Sequence, residues 1–373
     1  MTGANRNLKQ LARQCQQKNW PENFSDLVQE CVGIDLACFY GKRHLKHPVL
    51  VAPGQLTVQA SQVVKIKESG YAGCILKSAV GEEENGYCSM VFQRKKASWI
   101  KTVYDEEDLC GREPIIHWDG RADTRNLDQY LLFARKARSL DDQGFFVGGS
   151  LLCHLPGPDE EFHEKEWRFT VGKLQEIGFD TLEIDFCPTL EKESALVEKA
   201  NILRWYRTVP ALVKSVDPGI AVFPKMLNLR WGLDFQLEMA SAAVQGGADG
   251  LVVANRIYLS ELGCTHGGRM LRQQNLLQVR EIHRAFPRLP ISATGGIYSG
   301  RHMAGYLQAG AQNIQLLSYL MGRVKAPFLL KNGYKFQQVL FELFFHPEDG
   351  LIPLMMENGC QNIWQLREVR LLV

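Results

Sequence analysis

The sequence predicts an α/β protein: a (β/α)8 TIM barrel with an N-terminal helical and hairpin extension and C-terminal helices. Three observations predict it. Short apolar runs alternate with amphipathic stretches between residues 47 and 317, as buried parallel strands and their crossover helices do. Most of these runs end on polar or glycine residues. No linker, repeat or low-complexity stretch divides the chain. Residues 1–44 therefore read as the extension and 45–373 as a single barrel domain.

The elements follow in order. The first 40 residues or so are amphipathic helical material leading into a β-hairpin. HPVLVAPG (47–54) is a strand halted by Pro-Gly, 61–69 a helix, and AGCILKSA (72–79) a strand. PIIHWDG (114–120) reads as the next strand, then a helix over 126–138 and strand FFVGGSLL (145–152). A helix near 166–177, strand TLEIDF (181–186) and a helix near 194–216 come next. Strand IAVFPKML (220–227), helix 233–245, strand DGLVVAN (249–255) and helix 276–285 continue the alternation. Strand PISATGG (290–296), helix 300–309, strand NIQLL (313–317) and C-terminal helices complete it. The turns GGADG (246–250) and AGAQN (309–313) join helix to strand, with glycine ending the helix in the left-handed region. An open doubly wound sheet is the alternative. It loses support because no G-x-G-x-x-G opens a helix after the first strand.

Composition narrows the function classes. The formal net charge is +2, and the basic run QRKKASWIK (93–101) reads as a solvated face, so no nucleic-acid partner is expected. The ten cysteines show no C-x-x-C or other ligand-like spacing, which argues against zinc or an iron–sulfur cluster. HEKE (163–166) is not the H-E-x-x-H motif, and no metal is expected. Reduced thiols, many buried, fit a cytoplasmic protein. The N-terminal stretch lacks an apolar core of signal-peptide length, and no run of about 18 apolar residues occurs, so no membrane partner is expected.

In a barrel of this kind the chemistry belongs at the C-terminal ends of the strands. Those ends read Pro53-Gly54, Lys77-Ser78, Trp118-Asp119, Ser150, Asp185 to Pro188, Lys225, Asn255, Gly295-Gly296 and Ser318. Lys77 and Lys225 each close a strongly apolar strand, where an uncompensated ammonium is costly; a lysine snorkelling to the surface is the bland alternative. ISATGGIYSGRHMAGYLQAG (291–310) places a double glycine before a helix, either as an anion cradle or simply as a tight turn. Gly267-Gly268 and Ser318 favour the cradle.

These motifs resemble the dihydroorotate dehydrogenase family, including the related C-terminal domain of dihydropyrimidine dehydrogenase. GFDTLEIDFCP (178–188) is similar to the strand leading into that family's Asn-x-Ser-Cys-Pro site. FPKMLN (223–228) resembles its Ala-Lys-Leu-x-Pro-Asn strand, and GGADGLVVANR (246–256) the strand ending in Asn-Thr or Asn-Ser. ISATGGIYSGRHMAGYLQAGAQNIQLLS (291–318) is similar to the phosphate-binding segment, and ENGCQNIWQLRE (357–368) to the closing helix-turn-helix. The resemblance implies an FMN-binding barrel that oxidises or reduces a C–C bond. It implies FMN contacts from Gly54, Lys77, Ser78, Lys225, Asn255, Gly268, Gly295, Gly296 and Ser318. Lys225 would sit beside the flavin, and Cys187 would move a proton, with a buried structural thiol as its alternative.

The family's pyrimidine-reading asparagines are mostly gone. Asp185 aligns with the first of them when Glu183 and Ile184 stay in register; counting back from the cysteine puts Ile184 there instead. Thr189 stands where another is expected, HWDGRADTRN (117–126) replaces Asn-x-x-Gly, and Arg256 replaces a Ser/Thr. Lost amide partners leave buried polar groups unpaired, so orotate is not the expected substrate. Asp185, Asp119, Arg256 and Asn228 are the substrate-binding candidates. His154 is either a second acid/base or a bland histidine.

The resulting expectation is an FMN-dependent oxidoreductase acting on a CH–CH or C–N bond of a small polar molecule. Its electron acceptor is open, and a homodimer is allowed. The alternatives are a flavin-dependent isomerase or specialised biosynthetic enzyme on the same barrel, or a degenerate barrel acting as a binding subunit.

Overall fold

The computed structural model describes residues 3–17, 20–104, 113–186, 198–228, 231–322 and 335–369. Eight parallel strands form the core: β1 (Val49–Val51), β2 (Gly73–Ile75), β3 (Phe146–Leu152), β4 (Thr181–Ile184), β5 (Ala221–Pro224), β6 (Leu251–Val253), β7 (Ile291–Thr294) and β8 (Asn313–Leu316). Each pairs in parallel with its chain neighbours, β8 pairs with β1, and a bridge between Lys225 and Val252 joins β5 to β6. The ring therefore closes as an eight-stranded (β/α)8 barrel. Nearly every strand residue is buried on both faces, which is why these strands read as apolar runs rather than alternating ones.

Helices between the strands pack outside, each burying an apolar stripe. Leu127–Arg138 buries Tyr130, Phe133, Ala134 and Ala137, and Leu233–Gln245 buries Phe235, Met239, Ala240 and Ala243. Two helices, Gly3–Gln17 and Phe24–Val32, precede an antiparallel hairpin of Cys38–Tyr40 and Arg43–Leu45. Tyr40 of that hairpin reaches the barrel interior. Its hydroxyl donates to Glu183 on β4 at 2.7 Å, and its ring lies 4.5 Å from that of Phe223. Gln315 on β8 also donates to Glu183 Oε1, across the barrel from the opposite wall.

One expectation is corrected. The 114–120 run does form a strand, Ile115–Asp119, but it lies outside the barrel. It joins Trp99–Val103, Ile257–Leu259 and Cys264–Gly268 in a four-stranded antiparallel sheet. Its residues alternate between more and less buried, the mark of a strand with one covered face. Ile100, Ile116, Trp118 and Gly268 on this sheet line the pocket at the barrel mouth, so the sheet acts as a lid. Among the described residues no helix is long and apolar enough to cross a membrane. Among the described residues no disulfide joins two cysteines; burial pushes Cys15 up to about 12 and raises Cys38, Cys74 and Cys153 as well.

Candidate active site

The C-terminal ends of the strands and the lid enclose a pocket of about 860 Å³, its mouth included. Lys77 and Ser78 enter from the end of β2, Asp185 from β4, Lys225 from β5, and Asn255 and Arg256 from β6. Gly295 and Gly296 follow β7, Ser318 follows β8, and Gly268 comes from the lid. Residues spread over some 240 positions of sequence thus face one space, as the strand-end reading predicted.

The floor is a polar cluster. Asp185 Oδ2 accepts from Ser78 Oγ at 3.2 Å and Oδ1 accepts from Asn255 Nδ2 at 3.1 Å. The hydroxyls of Ser78 and Ser150 are 2.9 Å apart. Asp185, not the wholly buried Ile184, faces the pocket. Lys225 is held through its backbone: its N–H donates to Ile184 at 2.9 Å, and its carbonyl accepts from the Tyr206 hydroxyl at 2.9 Å. Below it lies Glu183, whose carboxyl burial pushes above its ordinary value, while the charge of Lys225 and hydrogen bonds from Tyr40 and Gln315 pull it back. Lys77 is 8% exposed, with its ammonium 5.5 Å from the Trp118 ring centroid.

At the opposite end three glycines adopt backbone angles that side chains avoid, with φ of +83° at Gly268, +108° at Gly295 and +65° at Gly296. A Cβ on them would meet the Pro114 carbonyl at 2.2 Å, Asn275 Nδ2 at 2.5 Å and Arg272 Cβ at 2.8 Å. The turn is braced by residues that sequence reasoning missed. Asn275 donates to the Thr294 carbonyl at 2.7 Å, and the Tyr306 hydroxyl donates to Gly295 at 2.7 Å. The signal was present: Asn275 and Gln278 are amides on the buried face of helix Arg272–Ala285, where buried polar groups imply partners. Helix Gly300–Ala309 begins after Ser299, whose hydroxyl oxygen accepts from the His302 N–H at 3.2 Å, while the Arg301 N–H donates to the Asp349 carbonyl at 2.7 Å.

The remaining expectations fall elsewhere. Gly54 lies beside pocket-lining Pro53, but it packs under Leu317 and its N–H donates to Thr57 Oγ1. Asp119 pairs with Lys96 instead of facing the pocket, because strand alternation turns Trp118 inward and Asp119 away. The Asn228 amide is taken up by Asn275, Gln274 and Gln278. Cys187 and Thr189 lie outside the described residues.

His154 is placed with Glu160 and His163. Its ring stacks on that of His163 at 3.7 Å. Nδ1 accepts the His163 backbone N–H at 3.2 Å, so the neutral ring carries its proton on Nε2 and donates it to Glu160 at 3.1 Å. A metal-bound imidazole has the reverse arrangement, its second nitrogen donating outward. Burial and the neighbouring His163 lower the pKa of His154 and keep it neutral.

No protein-family profile matches the chain. It is 25% identical over 285 residues to the catalytic subunit of dihydroorotate dehydrogenase B (NAD(+)) from Methanocaldococcus jannaschii, a match covering 73% of this chain and 82% of that protein. It is 31% identical over 125 residues to a putative dihydroorotate dehydrogenase A (fumarate) from Pediococcus pentosaceus, covering 31% of this chain and 40% of that protein. The chain is a distant relative of these dehydrogenases.

Proposed function

We propose that the chain is an FMN-dependent oxidoreductase acting on a CH–CH or C–N bond of a small polar substrate other than orotate. One observation carries the reading: three positive-φ glycines with no room for side chains line the same pocket as the strand-end lysines Lys77 and Lys225. That donor set fits the cofactor. Gly268, Gly295, Gly296 and Ser318 would hold its phosphate through backbone N–H groups and a hydroxyl. Lys225, Asn255, Lys77 and Ser78 would hold the ring and its chain.

Bound FMN supplies reversible two-electron chemistry that amino-acid side chains lack. The protein's part is positional and electrostatic. The Lys225 ammonium favours negative charge developing in the pocket. The lid, through Trp118, Ile116 and Ile100, excludes water. Asp185, an acceptor held by Ser78 and Asn255, stands where the family's first amide is expected and would read a donor on the substrate. Cys187 would move the proton that accompanies electron transfer.

The purified chain should carry flavin absorbance near 450 nm, a property of the cofactor. A colourless chain that takes up no added FMN would remove the proposal. Photoreduction followed by candidate substrates and acceptors then separates redox turnover from isomerisation.

A further inference from the structure

The space beneath the lid does not end at Lys77. A second chamber opens on its other side and shares Lys77 and Ile100 with the first pocket as a common wall. Among the described residues its remaining charged groups are Arg121, Arg125 and Asp123. Arg125 and Asp123 neutralise each other through a two-point pair, Nε to Oδ1 at 2.8 Å and Nη2 to Oδ2 at 2.5 Å. The Arg125 guanidinium also lies 4.2 Å from the Phe133 ring centroid, so that pair is a fixed part of the wall.

Arg121 differs. Among the described residues its one hydrogen bond runs from Nη1 to the Lys96 carbonyl at 3.2 Å, and a guanidinium carries five N–H donors in a fixed fork. Among the described residues the one carboxylate lining the chamber, Asp123, is taken by Arg125, so Arg121 has no acidic partner there. A second observation points the same way. Gln55, on the same wall, has a buried side-chain oxygen with no hydrogen-bond partner among the described residues, and such an atom requires a donor. Trp99, 46% exposed, supplies a flat apolar surface at the opening.

We propose that this chamber takes an anionic arm of the substrate, a carboxylate or a phosphate paired with Arg121, while a hydroxyl or N–H on the same arm donates to Gln55. The reacting end would pass Lys77 and Ile100 into the first pocket. That last step rests on the redox reading above; the anion site does not. The substrate is therefore longer than one ring and charged at its far end.

The test uses the full chain as purified, titrated separately with succinate and with inorganic phosphate. Binding is followed by tryptophan fluorescence, to which Trp99 contributes, and by the flavin spectrum. One of the two should bind saturably, and which one does identifies the arm. Arg121→Gln should weaken that binding about tenfold or more, Arg121→Lys should restore only part of it, and flavin content should be unchanged in both. Saturable binding by neither anion, or equal binding to Arg121→Gln, overturns the proposal. A flavin-free chain that still binds the anion through Arg121 supports this chamber while removing the redox reading, so the two fail separately.

Discussion

The guanidinium carbon of Arg256 lies 3.9 Å from the centroid of the Trp118 indole. Arg256 follows barrel strand β6, and Trp118 belongs to the lid, so the contact ties the roof of the pocket to its wall. Arg256 Nη1 donates to Thr265 Oγ1 at 2.8 Å, and that hydroxyl donates to the Trp118 carbonyl at 2.6 Å. Stacking and the hydrogen-bond relay converge on one residue.

A planar cation can stack and donate at the same time; an ammonium cannot reproduce both. Arg256→Lys should therefore loosen the lid although it keeps the charge. The expected result is FMN bound several-fold more weakly and a reduced flavin that is more accessible to solvent quenchers. The stacking is worth about 1–2 kcal/mol at a desolvated site. Full retention of affinity and shielding by Arg256→Lys would show that only the charge matters.

Gly295→Ala tests the cradle. At φ +108° the new methyl is strained, and it would meet Asn275 Nδ2 at 2.5 Å. Asn275 cannot easily yield, because it holds the Thr294 carbonyl and the Asn228 amide. Strain of about 1–3 kcal/mol is expected, together with loss of FMN on gel filtration while the circular dichroism stays that of a folded barrel. Normal FMN retention would move the anion site away from this turn.

Asp119 offers a discriminating control. It pairs with Lys96 at the edge of the lid, with both side chains partly exposed. Asp119→Asn should cost at most about 1 kcal/mol, as ion pairs in contact with solvent do. It should leave flavin spectrum and substrate affinity unchanged. A large effect on substrate binding would reinstate it as a binding residue.

The barrel was legible because its strands are buried on both faces and leave unbroken apolar runs, as in VLV (49–51) and LVV (251–253). The lid was not, because Trp99–Val103 and Ile115–Asp119 are only partly buried and a third strand is built from CTHGG (264–268), which carries no strand pattern. That same misplacement put Asp119 at a barrel rim, when in a lid strand only its neighbour Trp118 turns inward. Asn228 shows the other limit: a motif names a position, but not which neighbours will claim its amide. Lys77, Asp185, Lys225 and Asn255 were legible because strand ends in a closed parallel barrel converge whatever the loops do.

Glu183 carries the last prediction. It is fully buried inside the barrel, its Oε1 accepts from Tyr40 and Gln315, and Oε2 has no hydrogen-bond partner. Burial is the largest influence and raises the carboxyl above its ordinary 4.5, against the opposing pull of Lys225, Tyr40 and Gln315. Between the unfolded value and the raised folded value, the native state holds more proton than the unfolded chain. Its contribution to stability is therefore complete below the unfolded value and is lost as pH rises through the folded one. Glu183→Gln keeps an acceptor for Tyr40 and places its amide where Oε2 had no partner. Urea midpoints measured from pH 4.5 upward should therefore fall less steeply with pH in Glu183→Gln than in the parent chain. Parallel pH profiles for the two proteins would mean that Glu183 stays ionised in the fold, held by Lys225 more strongly than burial opposes it.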